Sequence, residues 1–138
     1  MQYISKSDIQ TKQIAQNLAQ NLKGGEILAL VGELGAGKTT FIQGLGESLG
    51  IKKIISPTFI LMRKYEIKNK NFYHIDLYRL EDNLKSEIIN LGITDIWAKK
   101  ENIVALEWAD KIKDQLPKNT IWINFKSIGE NERKIEII

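Results

Sequence analysis

One segment of the chain reads Gly32-Glu33-Leu34-Gly35-Ala36-Gly37-Lys38-Thr39 and matches the phosphate-loop pattern G-x-x-x-x-G-K-[ST] at every fixed position. The apolar run Ile27–Val31 comes directly before this segment and is typical of a strand buried on both faces. After it, apolar residues from Phe41 to Leu49 recur at helical spacing until Gly50, a residue typical of a helix C-cap. Because the motif requires a strand before it and a helix after it, the sequence predicts an α/β fold built around a phosphate-binding loop.

The composition of this segment explains how it would bind phosphate. Glycines let the backbone curl so that successive N–H groups point inward at the N-terminus of the helix. We expect Lys38 to reach the β- and γ-phosphates of a nucleotide, the Thr39 hydroxyl to bind Mg²⁺, and Thr40 to lie near the α-phosphate. The other loop residues predicted to contact the nucleotide are Glu33, Leu34, Gly35, Ala36 and Gly37. The alternative, a glycine-rich turn with an exposed lysine, is disfavoured by the flanking strand and helix.

Two acidic residues end apolar runs and are candidate magnesium ligands. Asp76 follows the run 72–75, and Glu107 follows the cleaner run 103–106. Mg²⁺ prefers oxygen ligands, and in phosphate-loop folds it takes carboxylates at the ends of strands that neighbour the loop. Either residue could bind the metal directly or through water. The alternative for each is a solvent-facing acid that caps a strand.

Helical patterns alternate with apolar runs over the rest of the chain. Ser7-Asp8-Ile9-Gln10 has capping-box spacing and opens a helical pattern that Gly24 stops, and a second helical stretch runs from about Leu84 to Trp97. Further apolar runs lie at 59–62, 72–77, 103–106, 121–125 and 135–138. Polar residues and Gly129 separate the last two, which we expect to form an antiparallel hairpin. The sequence predicts a three-layer P-loop NTPase fold with a mixed, mainly parallel central sheet, in a single P-loop ATPase domain over residues 1–138.

The composition narrows the classes of function. The chain has 138 residues, a formal net charge of +3 and no cysteine, so disulfides, thiolate metal sites and cysteine nucleophiles are excluded. No apolar run approaches the roughly 20 residues that span a bilayer, and the N-terminus lacks a signal-peptide core, so we expect a cytoplasmic protein without membrane association. Lysine pairs at 52–53, 99–100 and 111/113 could attract nucleic acid, but they are interspersed with acids and lack aromatic interleaving. A solvated surface is the favoured interpretation.

Several residues near the motifs have two interpretations. A single histidine inside an apolar strand, here His74, is more often a packed or hydrogen-bonded core residue than a catalyst. Trp108 could line the nucleotide site or belong to the core, whereas Trp97 and Trp122 are interpreted as core residues. Arg79 could stabilise the transferring phosphoryl group or hold a neighbouring acid in an ion pair, with the second slightly favoured. No residue is an obvious base for an attacking water, which predicts slow intrinsic hydrolysis.

Three further motifs follow the phosphate loop in order and make the pattern more specific. They are Ser56-Pro57-Thr58-Phe59, His74-Ile75-Asp76-Leu77-Tyr78-Arg79-Leu80 and the dipeptide Glu107-Trp108. Together with the loop and the following Thr40 and Phe41, they resemble the TsaE family of small bacterial P-loop ATPases. That family carries G-[DE]-L-G-A-G-K-T-T-F, S-P-T-[FY], H-x-D-L-Y-R-L and E-W segments. The resemblance extends from about Thr11 to Trp108 and becomes weaker over the C-terminal hairpin.

The resemblance implies roles for individual residues. Thr39, Asp76 and Glu107 would form the magnesium site, with Lys38, Asp76 and Glu107 as the catalytic set. Thr58 would lie in a segment that responds to the γ-phosphate. Candidate contacts to the rest of the nucleotide are Thr11, which matches a family position near the base, Trp108, and Arg133 in the hairpin.

The resemblance also implies a function. The chain would be an ATP- and Mg²⁺-dependent ATPase required for threonylcarbamoyl modification of adenosine 37 in ANN-decoding tRNAs. It would act with TsaB-like and TsaD-like proteins that carry out the transfer, and it would meet tRNA only through that complex. The sequence agrees, because it offers no groove of stacked aromatic residues for RNA.

Two other functions share the phosphate loop. A small-molecule or nucleoside kinase usually needs an acceptor pocket and an arginine-bearing lid, but the chain has only Arg63, Arg79 and Arg133 and no inserted segment that looks like a lid. A GTPase is less favoured, because no N-K-x-D motif occurs. A nucleotide-gated assembly module, in which ATP binding orders the segment around Thr58 and hydrolysis only resets docking, is left open by the sequence.

Overall fold

The structure, a computed structural model, describes residues 1–33, 35–55, 62–78, 84–97 and 99–138. The strands of this part of the chain are β1 (Gln2–Ser5), β2 (Ile27–Val31), β3 (Met62–Ile67), β4 (Lys70–Asp76), β5 (Asn102–Glu107), β6 (Ile121–Gly129) and β7 (Glu132–Ile137). Its helices are α1 (Asp8–Ala19), α2 (Lys38–Ser48), α3 (Leu84–Asn90) and α4 (Ile93–Ile96), and a 3₁₀ helix spans Ala109–Gln115.

All of these strands belong to one seven-stranded sheet in the order β1-β7-β6-β2-β5-β4-β3. The four central neighbours β6, β2, β5 and β4 are parallel to one another. The outer pairs β3–β4, β6–β7 and β1–β7 are antiparallel. Five of the seven strands therefore point in one direction, which confirms the predicted mixed, mainly parallel sheet and its C-terminal antiparallel hairpin.

Helices cover both faces of the sheet. One hydrophobic cluster joins α1 and α2 to one face through Ala15, Phe41 and Leu45, which pack with the strand residues Leu28 and Leu30. The other cluster joins α3, α4 and the 3₁₀ helix to the opposite face. Successive residues of a strand point to opposite faces, so β2 contributes to both clusters and is buried along most of its length. The predicted three-layer arrangement with β2 near the centre is confirmed.

The first helix begins where its capping residues predict. Ser7 is the N-cap, and its Oγ accepts the backbone N–H of Gln10 at 3.1 Å. The helix ends at Ala19 rather than at Gly24, because the chain tightens there into turns in which Asn21 and Leu22 donate to the carbonyls three residues earlier. The predicted helix is confirmed and its predicted end is too late.

Three elements differ from the sequence prediction. Strand β1 was not predicted. It has only four residues, their burial alternates, and they gain their hydrogen-bond partners from β7 at the edge of the sheet. A strand was expected over 59–62, but of these only Met62 is described, and β3 runs onward to Ile67 as half of a hairpin with β4. The helical stretch 84–97 is divided in two, since Gly92 has a left-handed φ of +74° that interrupts a continuous helix.

The sheet brings three chain segments together at one edge. The parallel strands β2, β5 and β4 are neighbours, and in their register Leu30 pairs with Glu107, which in turn pairs with Asp76. The carboxyl ends of these strands therefore meet directly beside the segment that follows β2, which is where ligands bind in open α/β sheets. Among the helices of the described residues, none combines the length and the apolar character that a membrane crossing requires.

Candidate functional site

The segment 32–39, called the phosphate loop below, turns tightly between β2 and α2. Gly35 and Gly37 have left-handed φ values of +78° and +106°, a conformation that costs other L-residues about 1–2 kcal/mol. Gly37 is the N-cap of α2, and its carbonyl accepts the N–H of Phe41 at 2.9 Å. The first N–H groups of a helix have no partner within it and carry a positive partial charge. The phosphate loop and α2 therefore present the geometry of an anion-binding site.

A cavity of about 310 Å³ opens at this point. Its lining consists of Gly35, Gly37, Lys38, Thr39, Thr40, Asp76, Tyr78, Glu107, Trp108 and Arg133. All of these except Tyr78 were candidate site residues from the sequence. The fold thus gathers the phosphate loop, both candidate magnesium ligands and one hairpin residue around a single space.

Lys38 is held inside this cavity and is only 5% exposed. Its Nζ donates a hydrogen bond to the Gly32 carbonyl and lies 3.7 Å from the centroid of the Trp108 ring, a cation–π distance. Burial lowers the pKa of Lys38, while the charges of Glu107, Asp76 and Asp110 act in the opposite direction. An anion bound in the cavity would favour the charged ammonium further, so the surroundings of Lys38 fit a phosphate group.

The two candidate magnesium ligands lie side by side but in different surroundings. Asp76 Oδ1 accepts the backbone N–H of Tyr78 at 2.9 Å, whereas Glu107 is 3% exposed and its Oε2 lies 2.6 Å from Nε2 of His74. Burial raises the pKa of Asp76; the N–H of Tyr78 opposes this, and the neighbouring carboxylate of Glu107 adds to it. A bound cation would relieve the repulsion between the two carboxylates.

This donor set fits Mg²⁺ better than a metal held by protein ligands alone. Within the described ranges, no group of three or more histidine, cysteine, aspartate or glutamate side chains could form a metal cage. Mg²⁺ usually takes one or two carboxylates and completes its shell with water and nucleotide phosphates. Asp76, Glu107 and the cavity-lining Thr39 are a set of that kind.

Trp108 and Tyr78 form an aromatic wall of the cavity. Trp108 follows Glu107 directly, has a left-handed φ of +60° and is the residue from which the 3₁₀ helix starts. Its ring lies 5.2 Å from that of Tyr78, centroid to centroid. Trp108 thus lines the cavity, and its ring also packs against the core cluster on the α3 side, so both interpretations of this residue stay open.

Arg133 reaches the cavity from β7. Its Nη1 donates to Asp8 Oδ1 at 2.7 Å and to Thr11 Oγ1 at 3.4 Å. The guanidinium also lies against the phosphate loop, since a Cβ added to Gly37 would come within 2.9 Å of Arg133 Nε. Thr11 is fully buried, and its hydroxyl lies 2.7 Å from that of Ser5. Among the described residues, Thr11 does not line the cavity and is connected to it through Arg133.

Other residues singled out by the sequence lie elsewhere. Glu33 is exposed, and Ala36 has its side chain in the core. Leu34, Thr58 with its neighbours 56–59, and Arg79 lie outside the described residues. Trp97 and Trp122 pack against the hydrophobic cluster on the α3 side, as expected for core residues. His74 is the buried, hydrogen-bonded histidine that the sequence predicted.

Two residues of the site were missed by sequence reasoning. Tyr78 had a signal, because it lies two positions after Asp76 in the same motif. Lys111 had none: its Nζ donates to the carbonyls of Leu77 at 3.2 Å and Tyr78 at 2.9 Å, more than 30 residues earlier in the chain. Lys111 thereby fixes the chain that leaves β4 next to Asp76.

A glycine-rich loop between the central strand and a helix, with a buried lysine and carboxylates on the neighbouring strands, defines a P-loop nucleotide-binding protein. The family model for threonylcarbamoyl adenosine biosynthesis protein TsaE matches residues 5–135 of the chain. The chain belongs to the TsaE family, which confirms the resemblance found in its motifs.

Individual relatives agree with this assignment. The tRNA threonylcarbamoyladenosine biosynthesis protein TsaE of Bacillus subtilis is 42% identical over 91% of this chain and 77% of its own length. The protein of the same name from Aquifex aeolicus is 39% identical over 97% of this chain and 92% of its own length. The crystal structure of Bacillus subtilis YdiB superposes with a TM-score of 0.82 at 33% identity, covering 99% of this chain and 83% of YdiB. Fold and family are thus supported independently by sequence and by structure.

Proposed function

We propose that the chain binds ATP with Mg²⁺, hydrolyses it slowly, and thereby supports threonylcarbamoyl modification of adenosine 37 in ANN-decoding tRNAs. The observation that carries the proposal is the single cavity in which the N-terminus of α2 and Lys38 meet Asp76 and Glu107 from neighbouring strands. The names of the relatives support the pathway. A reaction on tRNA supports a cytoplasmic location.

The phosphate loop would hold the phosphates. Backbone N–H groups at residues 33, 35 and 37–40 would surround the phosphate oxygens, since that of Ala36 donates to the Glu33 carbonyl. Lys38 would exchange the Gly32 carbonyl for a phosphate oxygen. Because Lys38 already lies in the cavity, little rearrangement of its side chain is needed for that exchange. Arg133 would contact the rest of the nucleotide from the hairpin, with Thr11 and Asp8 fixing its guanidinium.

Thr39, Asp76 and Glu107 would hold Mg²⁺. When bound, the ion would neutralise charge on the β- and γ-phosphates. The two carboxylates have different surroundings. Glu107 is more buried and is hydrogen-bonded to His74, whereas Asp76 is half-buried and accepts a hydrogen bond from a backbone N–H. Either could be the direct ligand, with the other acting through water.

Slow hydrolysis follows from the same lining. The acidic residues that line the cavity among the described residues are Asp76 and Glu107, and both are assigned to the metal. No separate carboxylate remains there to accept a proton from the attacking water. We therefore propose that TsaB-like and TsaD-like proteins, which carry out the transfer, accelerate hydrolysis, and that tRNA is met only through their complex.

The test is a reconstituted modification reaction. The purified chain is mixed with TsaB-like and TsaD-like proteins, tRNA, threonylcarbamoyl-adenylate and Mg·ATP, and modified tRNA is counted per complex. We expect repeated rounds with the wild type and with Lys12→Ala, a control lysine paired with Glu47 on the surface, but not with Lys38→Ala. All three proteins are checked for folding by thermal unfolding.

Three outcomes would contradict the proposal. If modification proceeds equally with and without the chain, its place in the pathway is wrong. If ATP is consumed only when a pool of small-molecule acceptors is added and a phosphorylated acceptor accumulates, the chain is a kinase. A variant that binds ATP without hydrolysing it, yet sustains repeated modification, would instead identify a nucleotide-gated assembly module.

A further inference from the structure

His74 makes a short, fully buried contact with Glu107. The imidazole is 0% exposed, and its Nε2 lies 2.6 Å from Glu107 Oε2. An ionised carboxylate only accepts hydrogen bonds, so the Nε2–H of His74 is the donor. This holds whether the ring is neutral or charged, because both forms can carry a proton on Nε2. The contact therefore fixes one of the two carboxylate oxygens.

A second buried donor belongs to the residue paired with His74 on the neighbouring strand. His74 Nδ1 and Arg63 Nε are both buried, and neither has a hydrogen-bond partner within the described part of the chain. Arg63 on β3 is the direct register partner of His74 on β4, so the two side chains leave the sheet on the same face, with Cβ atoms about 5 Å apart. Within the described part of the chain, the hydrogen bond that the His74 ring makes is therefore the one to Glu107.

Glu107 needs such a restraint because of its neighbours. It lines the cavity together with Lys38, and the charges of the two residues attract each other. A glutamate side chain has three rotatable bonds, and ordering it carries a conformational entropy cost. Without a second anchor, the carboxylate would close onto the Lys38 ammonium and occupy the space in which phosphate would bind.

We infer that His74 is a positioning residue for Glu107: its Nε2–H holds Oε2, so that Oε1 is presented to the cavity and the carboxylate stays away from Lys38. The inference rests on the proposed Mg²⁺-nucleotide function and assigns to that site a residue that does not line it. His74 itself is not a catalytic residue, because it is not among the residues that line the cavity. Removing a hydrogen bond of this kind to a metal-binding side chain typically lowers metal affinity or activity by about 10- to 100-fold.

Three variants separate positioning from packing. His74→Leu fills the buried position with an apolar side chain and removes the Nε2–H donor. His74→Gln can place its amide nitrogen where Nε2 was, whereas the shorter amide of His74→Asn corresponds to Nδ1 and does not reach Glu107. The Gln and Asn variants are a matched pair, since both bury an amide and differ in reach. They decide the question even if His74→Leu does not fold.

The experiment measures the binding of fluorescent methylanthraniloyl-ADP by anisotropy while Mg²⁺ is titrated. We expect His74→Leu and His74→Asn to raise, by about 10-fold or more, the Mg²⁺ concentration that gives half of the maximal anisotropy change. Binding of the fluorescent ADP in EDTA should be unchanged. His74→Gln should restore the value to within about 3-fold of the wild type. In ATP turnover at saturating Mg²⁺, His74→Leu and His74→Asn should lower kcat with little change in KM. Thermal unfolding of each variant reports its stability separately.

The outcomes distinguish this inference from the proposed function. If the wild type binds the probe in a Mg²⁺-dependent way and His74→Asn matches it, His74 is only a packing residue and the inference fails alone. If the wild type shows no Mg²⁺-dependent binding, both proposals fail together. In a Glu107→Gln background, a further loss on His74→Asn as large as in the wild type would also overturn the inference, because His74 would then act independently of Glu107.

Discussion

The phosphate loop and the carboxylate edge are built differently. The carboxylate edge consists of Asp76 and Glu107, which line the same cavity as the loop, and of His74, which is hydrogen-bonded to Glu107. The phosphate loop is held by contacts within a few residues, such as Ala36 N–H to the Glu33 carbonyl at 3.1 Å. The carboxylate edge is held by a bond between residues 33 positions apart and by the parallel pairing of two strands. Removing a side-chain group from the loop should therefore affect mainly nucleotide binding, whereas changes at the edge should also affect the stability of the sheet.

The largest effect is expected from Lys38→Met. It removes the ammonium that the loop holds in the cavity, and we expect ATP turnover to fall by about 100-fold or more. Because burial already disfavours the charged ammonium there, the melting temperature should change by only about 3 °C or less. Turnover assays and calorimetry on the same preparation measure both effects. A large loss of stability would show that the loop is structurally coupled to the rest of the fold.

The glycines of the loop offer a second test with a matched control. Gly37→Ala and Gly50→Ala both introduce a side chain at a left-handed φ, +106° and +91°, and each should cost about 1–2 kcal/mol of stability. A Cβ at Gly37 would lie 2.7 Å from Arg133 Cδ and displace that side chain, whereas a Cβ at Gly50 meets nothing within 4 Å. We expect nucleotide affinity to fall by about 10-fold or more in the first variant only. Equal affinities in titrations of both variants would contradict this account of the loop.

This contrast also explains what the sequence could predict. The order of strand, glycine loop and helix is a local pattern. The positions of β2, Gly37 and α2 could therefore be predicted from short windows of consecutive residues. Asp76 and Glu107 could be proposed because each ends an apolar run, and parallel strands bring such ends together. The structure places both in the cavity lining.

The remaining features depend on pairing that no local pattern specifies. The bond from His74 to Glu107 requires β4 beside β5 in one particular register, and a shift of one residue would turn His74 to the other face. Strand β1 is short and exists because β7 offers it an edge. Lys111 approaches the chain after β4 from the 3₁₀ helix, on a different element. In each case the partner is fixed by tertiary structure rather than by spacing.

Substitution of Arg133 tests whether this residue contacts the nucleotide or only holds β7 against α1. Its guanidinium is bonded to Asp8, whose side chain is 68% exposed, so their ion pair should contribute only about 0–1 kcal/mol. If Arg133 contacts the nucleotide, Arg133→Ala should weaken binding by about 3- to 10-fold, while Asp8→Ala leaves it nearly unchanged. Comparable losses of binding in titrations of both variants would instead assign Arg133 to bracing β7 against α1.

The smallest effect concerns stability at the carboxylate edge. Burial raises the pKa of Asp76 above its ordinary 3.8, so the unfolded chain releases this proton at lower pH than the folded chain does. Folding is therefore penalised progressively as pH rises from 3.8 through the raised pKa, and the full penalty remains at neutral pH. Asp76→Asn removes it, and we expect a gain in stability at pH 7 that disappears below pH 3.8.

The gain should be below about 1 kcal/mol, because water in the open cavity screens the carboxylate. Denaturant unfolding at pH 7 and pH 3.5 measures it, with the exposed Asp114→Asn as the control that should show no such difference. The same substitution should weaken the Mg²⁺ dependence of nucleotide binding, so that function and stability change in opposite directions. A loss of stability at pH 7 would mean that the hydrogen bond from the Tyr78 N–H outweighs burial, and that the carboxylate edge owes part of its stability to the ionised Asp76.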